Sequence, residues 1–152
     1  MKTIVLGVGN PILQDDGVGL HVIEALRLQI HDPKVTVETA TTGGLNLLDM
    51  IRGYEKVILI DAVRQNECKT GEVKRFTLSD FHSVHSCNPH DVSLSEALQL
   101  ARQLGEKHIP SNIILFGITV KCTYEFGEQL SNSVAAAIPT VVNLVLKELN
   151  NT

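Results

Sequence analysis

The sequence predicts an α/β protein: a three-layer sandwich with a mostly parallel, twisted central sheet of about five strands flanked by helices on both faces. Three observations carry that reading. Short apolar runs rich in β-branched residues alternate along the chain with segments of helical period, the pattern of a parallel sheet with crossover helices. The strongest runs, Thr3–Val8, Val57–Ile60 and Asn112–Ile118, do not alternate with polar residues, as expected of strands covered on two faces. The 152 residues contain no internal repeat, low-complexity stretch or linker, so residues 1–152 read as one domain. A chain of that length buries a core without disulfide or metal staples.

In chain order, Thr3–Val8 is the first strand, and Asn10-Pro11 marks the loop after it. A helix follows from about Asp16 to Gln29, with Val18, Val22, Ile23, Leu26 and Ile30 at helical spacing and Asp15 or Asp16 as the candidate cap. Val35–Thr39 is a second strand, and Gly43-Gly44 leads into a short helix over Leu45–Arg52. Val57–Ile60 is the third strand and ends on Asp61. Glu72–Phe76 alternates polar and apolar residues, as an edge strand does. Ser79–Pro89 shows no period; its His82, His85 and Cys87 read as residues of a solvated loop. Helices over His90–Leu104 and Ser131–Leu149 enclose the buried strand Asn112–Ile118, with Pro139 a kink or a break in the last helix. The strongly apolar first and third strands predict a central pair. In such folds the site lies beyond the carboxyl ends of the strands, where the connections diverge.

Composition narrows the function classes. Hydrophobic residues are 43%, charged residues 20% and the formal net charge is −4, which argues against nucleic acid or an anionic membrane as the main partner. No apolar stretch approaches the roughly 20 residues that span a bilayer, and no signal peptide is read at the start of the chain. Cys68, Cys87 and Cys122 are odd in number and widely spaced, with no CxxC pair, which fits a reducing cytoplasm.

Two acids and an imidazole fall where the fold predicts a crevice. Asp16 sits past the first strand, Asp61 closes the third, and His90 opens a later helix after Asn88-Pro89. Two carboxylates and an imidazole suit a borderline divalent metal such as nickel or zinc, with positions left for ligands from another molecule. Each has an ordinary reading as well: Asp16 as a helix cap, Asp61 as a strand-end residue bonding amides, His90 as a surface residue. The arrangement of the three together favours the site.

Other chemistries fit less well. Gly7-Val8-Gly9-Asn10-Pro11-Ile12 begins like a dinucleotide loop, but Ile12 occupies the third glycine position. Asp15 and Asp16 stand where a pyrophosphate would meet the helix, and they repel an anion. There is no GxSxG elbow and no cysteine with a readable histidine partner. An aspartic dyad of the two acids leaves His90 without a role.

Val5–Gly19 closely resembles the opening segment of the hydrogenase maturation endopeptidases, and Val22–Leu26 continues it. Ile58–Ala62 resembles the second segment of that family and Asn88–Leu94 its third, in the same order along nearly the whole chain. The resemblance implies an endopeptidase that removes the C-terminal extension of a nickel-iron hydrogenase large-subunit precursor after nickel insertion. It implies that Asp16, Asp61 and His90 bind metal and act in catalysis, that the nickel arrives with the precursor, and that no tightly bound cofactor is intrinsic to the protein. The chain departs from the family at two points. Asp16 stands where many members have glutamate, which draws the carboxylate back by one methylene. The loop associated with substrate choice reads Thr39-Ala40-Thr41-Thr42-Gly43-Gly44 and lacks an acid that many members carry. The alternatives from other classes are a non-catalytic nickel-binding or chaperone module of the same fold, and a nucleotide-binding module.

Overall fold

The computed structural model describes residues 2–41, 44–64, 69–77, 79–80, 85–86, 94–121 and 126–151. The strands are β1 (Thr3–Val8), β2 (Val35–Ala40), β3 (Lys56–Arg64), β4 (Val73–Thr77), β5 (His85–Ser86) and β6 (Asn112–Thr119). The helices are α1 (Val18–Arg27), preceded by a 3-10 turn over Gln14–Gly17, then α2 (Gly44–Ile51), α3 (Leu94–Gln103) and α4 (Asn132–Asn150). Among the described residues the sheet runs β2-β1-β3-β6-β4, with β5 attached to the end of β3. β1 pairs in parallel with β2 and β3, and β3 with β6, whereas β4 and β5 are antiparallel to their neighbours. The expected sheet of about five strands is therefore present, with the short β5 added.

Alternation along the buried strands divides the core in two. Val5, Ile58, Ile60, Ile114 and Phe116 face α1 and α4 and pack with Val22, Leu26, Val141 and Val145. Ile4, Leu6, Val57, Leu59, Ile113 and Leu115 face α2 and α3 and pack with Leu48, Ile51, Leu98 and Ala101. Both sheet faces are covered, which is why the runs in β1, β3 and β6 are apolar at successive positions.

Three local expectations are corrected and a fourth is narrowed. The first helix begins at Val18 rather than Asp16: the residue before it is Gly17, and neither Asp15 nor Asp16 caps it, because both carboxylates are engaged elsewhere. β3 does not end on Asp61. Pairing with β6 continues through Asp61↔Gly117 to Val63↔Thr119, and β5 pairs with Val63 and Arg64 on the other side. That pairing makes the backbone at His85 part of a strand instead of a loop. Finally, of the kink or break expected at Pro139 there is no break: α4 is one helix through that residue. Proline removes the amide that would reach the Ala135 carbonyl; both residues are exposed, so water can take that acceptor.

Candidate active site

The strand order makes the gap between β1 and β3 the topological switch point: β1 leads through α1 to β2 on one side, and β3 leads onward to the other. Ligand sites of open α/β sheets lie at the carboxyl ends of such strands. The last β1–β3 pair is Gly7↔Ile60, so Asp61 is the first β3 residue beyond the reach of β1. Its position in the alternation, between Ala62 in one core and Leu59 and Val63 in the other, turns its side chain toward the α2/α3 face.

Close backbone packing brings Asp16 to the same place. A Cβ on Gly9 would stand 2.1 Å from the Asp16 carbonyl oxygen, and one on Gly19 would stand 2.5 Å from the Ile60 carbonyl oxygen. Glycine at both positions lets the loop after β1 fold back over the strand ends and lets α1 start against β3. These glycines serve backbone approach rather than a phosphate. Within the loop, Leu13 N–H donates to the Asn10 carbonyl at 3.2 Å and Asp16 N–H to the Leu13 carbonyl at 3.1 Å. The Asp16 carboxylate accepts the Asn10 N–H at 2.9 Å.

The two carboxyls feel each other. Burial raises the Asp61 pKa well above the ordinary carboxylate value, the neighbouring Asp16 charge raises it further, and a hydrogen bond from the Ala62 backbone opposes both. Asp61 retains some accessible surface, but protein surrounds its carboxyl. Burial also raises Asp16, less strongly, and the Asn10 N–H opposes it. Both carboxyls are pushed toward the protonated form, Asp61 the more strongly, and the Asp16 charge is part of the reason. A pair of carboxyls driven apart in this way is the electrostatic pattern of a functional site.

Of the residues singled out from sequence, Asp16 and Asp61 are brought together. His90 lies outside the described residues, as do Thr42, Gly43, His82, Cys68, Cys87 and Cys122. α3 begins at Leu94, four positions beyond His90, and runs from the site end of the sheet toward the Gly53–His108 backbone hydrogen bond at the opposite end. Thr39 pairs with Gly7, and the Ala40 carbonyl accepts the Gly9 N–H at 3.0 Å, so Thr41 and the start of α2 at Gly44 flank the site loop. Among the described residues no three or more His, Cys, Asp or Glu side chains form a metal-holding group. Sequence reasoning missed the Asp15–Ser131 contact, which joins residues 116 positions apart and leaves no local signal.

Fold and site together define a class: a doubly wound α/β protein whose switch-point crevice holds an acidic pair, where dinucleotide-binding folds of this architecture cradle phosphate. Residues 20–148 match the family HycI, hydrogenase maturation protease. The chain belongs to the hydrogenase maturation protease family and is an endopeptidase of hydrogenase maturation. It is 28% identical over 152 residues to the hydrogenase 2 maturation protease of Escherichia coli strain K12, covering 98% of this chain and 91% of that one. It is 27% identical over 152 residues to the hydrogenase expression/formation protein HupD of Thiocapsa roseopersicina, covering 97% of this chain and 67% of that one. The structure of the hydrogenase maturating endopeptidase HybD from Escherichia coli superposes with a TM-score of 0.81 at 25% identity, over 99% of this chain and 93% of that one. The [NiFe] hydrogenase maturation protease HybD from Thermococcus kodakarensis gives 0.72 at 26% identity, over 97% and 98%. Asp61 and His90 fall inside the family match, and Asp16 lies just before it. Among the described residues no helix is long and apolar enough to cross a membrane.

Proposed function

We propose that this protein removes the C-terminal extension of a nickel-iron hydrogenase large-subunit precursor after nickel insertion, and that it recognises the nickel carried by that substrate. The observation that carries the reading is the pairing of Asp16 and Asp61 at the switch point, where burial raises both carboxyls and the Asp16 charge raises Asp61 further. An acidic pair kept partly protonated by its surroundings is a latent cation site. An incoming divalent ion offsets the repulsion and displaces the Asp61 proton. Two carboxylates, with the His90 imidazole as third ligand, make a donor set of borderline character that holds nickel less tightly than thiolates do. A transient grip on an ion already ligated by the precursor follows from that difference, and the protein needs no tightly bound cofactor of its own.

Where no ion is held, the same two acids form an aspartyl-type pair in which Asp61, the more strongly raised, is the proton holder and Asp16 its partner. With nickel held by both, the ion would instead supply the polarisation of the scissile carbonyl or of a water. The segment Thr39, Thr41, Thr42, Gly43 and Gly44 follows β2 beside the site loop and is the candidate determinant of which precursor is accepted. The compartment this reading places it in is the cytoplasm, which the odd, widely spaced cysteines fit.

Mass spectrometry of a nickel-loaded large-subunit precursor incubated with the protein tests the reading, with nickel-free precursor and Asp61→Ala run in parallel. Loss of one discrete C-terminal peptide only with nickel and only with intact Asp61 is the expected result. Equal cleavage of nickel-free precursor would remove nickel recognition from the proposal. No cleavage of any co-encoded precursor by folded protein would remove the substrate.

A further inference from the structure

The turn that carries the adjacent acids is fastened at a point distant in sequence. Asp15 is buried, its Oδ1 accepts the Ser131 N–H at 2.7 Å, and its Oδ2 accepts the Ser131 hydroxyl at 2.9 Å. Ser131 is the residue that opens α4, and α4 is held in the core by Val134, Ala137, Val141 and Val145. One peptide bond further on, the Asp16 carboxylate turns the other way and accepts the Asn10 N–H. A second fastening lies just upstream. Gln14 N–H donates to the Gly127 carbonyl at 2.9 Å and Gly127 N–H to the Ile12 carbonyl at 2.8 Å, an isolated parallel bridge. Between these two anchors Gln14 adopts φ 50°, a left-handed conformation that a side-chain-bearing residue keeps only where its surroundings fix it.

We propose that Asp15 is a positioning residue for Asp16: its clamp on Ser131 transfers the rigidity of α4 to the Gln14–Gly17 turn and so fixes the Asp16 carboxylate over the crevice. The inference rests on the reading of Asp16 as a group that meets the substrate. Two hydrogen bonds from one residue to both oxygens of a buried side chain, one from a backbone amide and one from a hydroxyl, fix the orientation of that side chain. The competing role is a helix cap alone, an acid stabilising the start of α4. A cap would affect α4 and leave the Asn10–Asp16 contact unchanged, so the Asn10 amide separates the two.

The test compares Asp15→Ala, Asp15→Asn and Ser131→Ala with the unaltered protein by amide NMR and by single-turnover cleavage of nickel-loaded precursor. In Asp15→Ala, the Asn10 amide resonance is expected to shift and its hydrogen exchange to quicken about tenfold. Cleavage is expected to slow about 100-fold, the scale of a misplaced reacting group, with precursor binding changed less than about threefold. Asp15→Asn keeps an oxygen for the Ser131 N–H and an amide for its hydroxyl, and is expected to restore both readouts. Should Asp15→Ala fail to fold, Ser131→Ala deletes one donor and spares every atom of the turn; a shifted Asn10 amide and slower cleavage there support the positioning role. An unmoved Asn10 amide in folded Asp15→Ala or Ser131→Ala, with only the first turn of α4 loosened, overturns it. Failure of the unaltered protein to cleave would count against the proposed substrate, while the Asn10 readout would still decide the clamp.

Discussion

At the amino end of the sheet, Lys56 opens β3 with its side chain only 3% exposed; at the carboxyl end of the same strand, Asp61 is likewise enclosed. The Lys56 ammonium donates to the Glu148 backbone carbonyl at 3.0 Å and pairs with the Glu148 carboxylate at 3.4 Å, which Arg75 also approaches. Buried charge there is met by opposite charge and by the carboxyl end of α4. Asp61 instead faces a second acid. One end of β3 is arranged for stability. The other keeps an unfavourable pair that a cation or a shared proton would relieve, as functional sites commonly do.

If the comparison is right, Asp61→Asn should have the largest effect, lowering cleavage of nickel-loaded precursor by about 1000-fold, within the range of a positioned acid or base. Single-turnover mass spectrometry reads this directly. Gly19→Ala should follow. Its methyl group would meet the Ile60 and Val8 carbonyl oxygens at 2.5 and 2.7 Å, and backbone cannot rotate away. We expect about 3 kcal/mol of lost stability, at the top of the overpacking range, in denaturant titration. Glu148→Ala strands a buried ammonium at the opposite end and should cost a similar amount, about 3 kcal/mol. Cleavage per folded molecule should remain intact. Loss of cleavage there would mean that the two ends are not separate in function.

The pH dependence of stability sharpens the contrast. Burial first, and the Asp16 charge second, place the folded Asp61 pKa above its unfolded value near 4. Between those two values the folded state holds more protons, so this group's contribution falls as pH rises through that window. Asp61→Asn should therefore be more stable than the unaltered protein at neutral pH, with the advantage gone below about pH 4. Equal stability at both pH values would mean that the site carries no electrostatic strain. The smallest effect is expected for Arg75→Ala. Its guanidinium is 3.4 Å from Glu148 but its side chain is 48% exposed. The change should cost under about 1 kcal/mol and fade in high salt.

Much of the fold could be read from local pattern because both sheet faces are covered. The runs in β1, β3 and β6 lack polar alternation, and β4 shows it as an edge strand must. Asp16 and Asp61 were legible as a pair because one lies in the turn that follows β1 and the other near the carboxyl end of the apolar run of its neighbour β3. The true length of β3 was not legible: pairing with β6 and β5 extends it past Asp61, and strand ends are set by partners rather than propensity. β5 itself is two residues without a period.

The layer architecture, the position of the acids after β1 and along β3, and the glycines that let the loop approach are written into local periodicity and residue type, which act over a few positions. What the two adjacent acids do is set by folding. Asp15 closes on Ser131 and Asp16 on Asn10. The division depends on a hydrogen bond across 116 residues, and the chemistry of the site on the burial that raises Asp16 and Asp61. Contacts of that range and desolvation of that kind exist only once the chain has folded.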